Sequence, residues 1–144
     1  MKNLLSGLCL ALSSASVCAY EWPVDTLPLS ISLGDNVSAE WTVPLDRAAA
    51  DWSVSPVLDV RVRKGSVRDN SNCKARRGKV EICNEFYGEN NWLGLATLTV
   101  SGNLIESAIV RLNETYFAQA PYSDYAWRNM VMCHEVGQIG RAHV

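Results

Sequence analysis

Near the end of the 144-residue chain His134 and Glu135 stand side by side, followed by Gly137 and, four residues after the histidine, by Gln138. Residues i and i+4 of a helix share one face, so two histidines at that spacing can hold one metal ion. A glutamate at i+1 is then placed to take a proton from a metal-bound water. His134 and Glu135 fill the first ligand position and the base position. Gln138 stands where the second imidazole belongs, and an amide oxygen is a poor substitute for imidazole at a zinc ion. The His-Glu pair alone is a weak signal. Trp127 and Val131 ahead of it and Gly137 behind it strengthen the pattern, against the plainer reading of a structural histidine on an ordinary helix.

The element that must carry these residues is YAWRNMVMCHEVG, which the sequence predicts as a helix of about three turns with Ser123 or Asp124 as its N-cap. Cys133 points about 100° away from His134 on such a helix, which argues against it as a further ligand. Upstream, PLDRAAADWSV reads as a helix with Pro44 in its first turn and Leu45, Ala48, Ala49 and Trp52 along one stripe; Pro56 stops it. VLDVRVR alternates as a half-buried strand with Leu58, Val60 and Val62 inward. KVEIC, WLGLATLTV and LIESAIVRLN read as further strands, with SGN as the turn between the last two. TYFAQAPYSDY reads as a loop, and EWPVDTLPLSISLGDNVS as an extended lead-in. The order helix, strands, helix predicts an α+β (α/β-like) layer around one sheet.

Length allows one domain with a core of its own, and a net charge of −2 points to no polyanionic partner. MKNLLSGLCLALSSASVCA has the form of a secretory signal peptide cleaved after Ala19, so the expected location is extracellular or periplasmic. No later stretch approaches the roughly 20 apolar residues of a membrane span. Export permits a disulfide, expected between Cys73 and Cys83 across the basic loop between them; Cys133 is expected to be a small buried residue. RVRKGSVRDNSNCKARRGK holds 8 Lys or Arg in 19 residues. It reads as a glycan, nucleic-acid or anionic-surface patch, or more plainly as a solvated loop and strand face, and the sequence favours the plain reading because no aromatics interleave the charges. Trp22, Trp41, Trp52, Trp92 and Trp127 are expected to be mostly core. Asn36-Val37-Ser38 and Asn113-Glu114-Thr115 are glycosylation sequons.

WRNMVMCHEVG resembles the active-site helix of the metzincin zinc metallopeptidases, matrixin-like secreted members in particular, whose extended motif is His-Glu-x-x-His-x-x-Gly-x-x-His. RAAADWS, VLDVRV, CNEFYG, WLGLATLTVSG and VRLNETYF resemble, in order, the early helix, strands and loop of that family's upper subdomain. The resemblance implies one mixed twisted sheet with an early helix and a C-terminal active-site helix, the lower subdomain missing. It implies Zn2+ as cofactor, His134 as first ligand, Glu135 as the general base that activates a zinc-bound water, and a protein or peptide as substrate, with no nucleic acid.

The family pattern stops at Gly137. Gln138 stands at the second ligand, Arg141 at the family's glycine and Val144 at the third histidine, with His143 one place off. IGRAHV is the translation of ATC GGA AGA GCA CAC GTC, which looks like sequencing-adapter DNA read as coding sequence, and the native residue at 138 is then expected to be His. The expected organisation is a signal peptide at 1–19, a lead-in at 20–43, an incomplete metalloprotease-like domain at 44–137 and a non-native tail at 138–144. On this reading the chain is an inactive fragment of a zinc-dependent metalloendopeptidase. The rival is a secreted α+β binding or adhesion module whose His-Glu pair is incidental.

Overall fold

The computed structural model describes residues 20–139; the expected signal peptide and most of the expected tail lie outside them. A five-stranded mixed sheet is formed by β1 (Leu29–Asn36), β2 (Leu58–Lys64), β3 (Val80–Glu85), β4 (Gly94–Ser101) and β5 (Leu104–Asn113). The strand order is β2-β1-β3-β5-β4, with β4 antiparallel to β5 and all other pairs parallel. Helices α1 (Ala39–Trp52) and α3 (Tyr125–Ile139) pack side by side against the sheet, and α2 (Glu114–Phe117) is a single turn after β5. The fold is α+β, as the element order predicts.

Alternation of side chains decides which face is covered. Leu29, Ile31 and Leu33 of β1, Val60 of β2, Ile82 of β3 and Ala108, Val110 and Leu112 of β5 point to the helices and are buried with Trp41, Leu45, Val131, Met132 and Val136. Each fully buried Val, Leu or Ile side chain among them contributes about 1.5–3 kcal/mol relative to exposure. Asp124 caps α3, its carboxylate accepting from the Trp127 backbone N–H at 2.9 Å. The SGN turn between β4 and β5 uses Gly102 at φ +62°.

Four expectations are corrected, that for Trp52 last. The lead-in EWPVDTLPLSISLGDNVS contains β1, which lies inside the sheet between β2 and β3. Its short apolar set at 29, 31 and 33 is a clean two-residue period, hidden among the surrounding Pro, Ser and Asp. α1 starts at Ala39, so Pro44 sits inside the helix, where it gives up one i→i−4 bond early in the helix. The loop after β5 begins as a helical turn because the Asn113 side chain caps it, accepting from Thr115 N at 3.2 Å. Phe117 of that turn is buried edge-on against Trp41, centroids 4.7 Å apart.

Cys73 and Cys83 are bonded, Cα atoms 6.2 Å apart, and tie the long loop after β2 to β3. Ser66 of the same loop donates from its backbone N–H (3.2 Å) and hydroxyl to the buried carboxylate of Glu81, which also accepts from Asn36 Nδ2 at 2.6 Å. Trp22 and Trp41 are core. Trp52, expected on the buried stripe of α1, is 37% exposed and lies across Gly137 of α3 instead.

Candidate active site

α3 presents the expected residues next to the free edge of the sheet. β4 is an edge strand, as β2 is at the other side of the sheet, and β5 is interior. Between β4 and α3 runs a groove of about 300 Å³ lined by Leu93, Gly94, Met130, Val131, His134 and Glu135. His134 is exposed at its rim, whereas Glu135, one residue on and so about 100° around the helix, is buried against β4.

Gly94 makes that approach possible. A Cβ there would stand 2.6 Å from Glu135 Cγ, 2.8 Å from Val131 Cγ1 and 2.9 Å from Glu135 Oε1. Removal from water pushes the Glu135 carboxyl above its usual range, because burial penalises the charged form; the nearby His134 and the Ala96 backbone N–H pull the other way. The result is a carboxylate with raised proton affinity at the floor of a groove.

Gln138 lies one turn after His134, and its Nε2 is 2.6 Å from His134 Nε2. The two side chains are within hydrogen-bond distance, the donor and acceptor roles being set by the imidazole tautomer. The two positions therefore aim at one point above the helix. Cys133 lies on another side, half-buried, its carbonyl accepting from Trp52 Nε1 at 3.1 Å. The indole of Trp52 fits there because residue 137 is glycine: a Cβ would come within 2.3 Å of Trp52 Cζ2.

The sequence singled out His134, Glu135 and position 138; the structure places all three on α3, with the side chains of 134 and 138 in contact and that of Glu135 turned to β4. It did not identify Gly94, Leu93 or Met130 as groove residues. The only signal for Gly94 was a glycine interrupting an otherwise β-rich run, which marks close approach of another backbone or side chain. Among the described residues no group of three or more His, Cys, Asp or Glu is arranged to hold a metal ion. No protein family, curated protein or solved structure matches the chain.

Proposed function

We propose that this chain carries the sheet-and-helix part of an exported zinc metalloendopeptidase of the metzincin type, with His134 as one metal ligand, Glu135 as the proton-holding base and a protein or peptide as substrate. One observation carries the reading: the side chain at 138 reaches the same point as the His134 imidazole, beside a desolvated glutamate. An extended substrate would add to the free edge of β4, whose outward backbone N–H and C=O groups pair with no strand among the described residues. Glu135 would hold a proton on its carboxylate there, its affinity raised by the same burial that fixes its position.

With Gln138 in place the described residues do not fit a zinc ion. They offer one imidazole, one amide and a carboxylate held against β4, where three strong ligands are needed. We therefore assign the chain no turnover as it stands, and we propose that residues from 138 onward are not native. The Gln138–His134 contact also favours the second reading, a secreted binding module, because it satisfies the histidine without a metal.

Reading the gene from genomic DNA past the Gly137 codon separates the two. Continuation as His-x-x-Gly-x-x-His supports the peptidase; a genuine Gln codon followed by the same tail supports the binding module.

A further inference from the structure

The basic segment acquires a definite geometry in the fold. Between Arg61 and Lys79 eight Lys and Arg stand against one acid, Asp69, a net of +7, whereas the whole chain is −2. All eight are exposed. Arg61 pairs with Asp59 at 2.6 Å and Arg77 with Glu106 at 3.0 Å. Among the described residues no carboxylate lies within 4 Å of the side-chain nitrogens of Arg63, Lys64, Arg68, Lys74, Arg76 or Lys79.

All of these charges but Lys64 gather on the face of the sheet away from the helices. Arg61 and Arg63 alternate with the inward Val60 and Val62, and their cross-strand partners are Ser32 and Gly34. Lys79, immediately before β3, falls on the same face as Glu81 by alternation. Arg68, Lys74, Arg76 and Arg77 lie on the loop that the disulfide and Glu81 hold over this face, whereas Lys64, the last residue of β2, falls by alternation on the other side.

A cavity of about 300 Å³ opens beside them. It exists because β3 begins only at Val80, opposite Leu33, so the first half of β1 has no strand on that side. Leu29 donates its backbone N–H to Val57 on the β2 side, so by alternation the backbone N–H and C=O of Ser30 face the gap. Ser30, Ser32, Ser101, Arg77 and Glu106 bring polar groups to the lining, the Glu106 carboxylate being paired with Arg77; Trp22 and Ile105 bring apolar surface.

We propose that this face binds an acidic polysaccharide, a polymer of sulfated or carboxylated sugars, with the polymer's anionic groups along Arg61, Arg63, Arg76 and Arg77 and one sugar unit in the cavity. The serine hydroxyls and the free backbone groups of Ser30 match sugar hydroxyls. No aromatic residue lies between Arg61 and Lys79, which removes the base-stacking surface that single-stranded nucleic acid uses. No large apolar side chain of the segment is exposed, which removes the anchor that a lipid surface would take. The site lies on the opposite face of the sheet from His134 and needs no metal.

The test is titration of the purified chain with dextran sulfate in the presence of a metal chelator, alongside neutral dextran, a single-stranded oligonucleotide and phosphatidylserine vesicles. The account expects binding to dextran sulfate alone among the four, weakening steeply with added salt. Replacing Arg61, Arg63, Arg76 and Arg77 together by Ser is expected to weaken it by roughly a hundredfold, as lost charge-assisted contacts would. Arg47→Ser, on α1, is expected to leave it unchanged. Ser32→Trp blocks the cavity without changing charge and is expected to cost roughly tenfold. Unfolding midpoints establish that each variant is folded. Absence of dextran sulfate binding, equal or tighter binding to the oligonucleotide or vesicles, or full binding by the quadruple variant overturns the proposal; full binding by a folded Ser32→Trp overturns the cavity's part in it.

Discussion

Gln138 Nε2 lies 2.6 Å from His134 Nε2, one turn further along α3 and beside the groove that separates the helix from β4. Two side chains at i and i+4 meet in this way only when both rotamers lean to the same side of the helix. The contact makes the chemistry of position 138 the deciding variable: an amide there meets the His134 ring nitrogen, while an imidazole would offer a second ring nitrogen.

Gly94 is the hinge of the groove's shape. Gly94→Val places a branched side chain where Glu135 and Val131 already pack, and overpacking of this kind costs about 1–3 kcal/mol. Urea unfolding should show a lower midpoint with the same slope. An unchanged midpoint would mean that α3 does not press on β4 at this point.

Gly137 sets helix propensity against packing. Gly→Ala in a helix interior gains about 1 kcal/mol, but the added Cβ would meet Trp52 Cζ2 at 2.3 Å. Gly137→Ala is therefore expected to be destabilising in the parent and stabilising by about 1 kcal/mol in a Trp52→Ala background. The double-mutant cycle from denaturation midpoints reads the coupling directly. Additive effects would contradict the contact.

Glu135 gives a pH signature. Its folded-state pKa is raised above the ordinary 4.5 by burial, so the folded chain binds that proton more tightly than the unfolded chain. The resulting stability is fully present below the unfolded value and is lost as pH rises through the higher folded value. Glu135→Gln removes the titration, so the variant should gain on the parent as pH rises through that window and run parallel to it below. A difference that is flat with pH, or that shrinks as pH rises, would contradict a desolvated carboxyl.

Asn113 is fully buried, although it heads a glycosylation sequon. Its Nδ2 donates to Gly88 O at 2.8 Å and Asn90 Oδ1 at 2.9 Å, and its Oδ1 accepts from Tyr87 N at 3.1 Å and Thr115 N at 3.2 Å. Asn113→Ala leaves several buried groups unpaired and is expected to cost about 3 kcal/mol in urea unfolding. The folded chain produced in a glycosylating host should show no glycan at Asn113 by peptide mass analysis; a glycan there in folded protein would contradict the burial.

Elements with a strong period were legible in the sequence. The alternation of Val57–Arg63, the Leu104–Asn113 strand and the capped run into His134 all appear where the pattern puts them. β1 was not legible, because Pro23, Pro28 and the serines mask an apolar set of only three residues. The start of α1 was misplaced because Pro44 is more often found in a first turn than in the sixth helical position. The candidate site was half legible: i, i+4 spacing gives the helix side of the groove, but its sheet side depends on β4 being an edge strand next to α3. That is a matter of topology, and no local spacing encodes it. The basic stretch shows the same limit. Its charge is plain in the sequence, but the cavity beside it arises from β3 starting four residues later than β1 in the parallel register.

The most direct test of the central claim is cobalt(II) titration of Gln138→His against the parent chain, followed by absorption spectroscopy. The account predicts that the substituted chain binds Co(II) at least about tenfold more tightly, with a second imidazole added to the first, and that His134→Ala abolishes the gain. Equal affinity in the two chains, or a gain that survives His134→Ala, would show that positions 134 and 138 do not share a metal and would contradict the account.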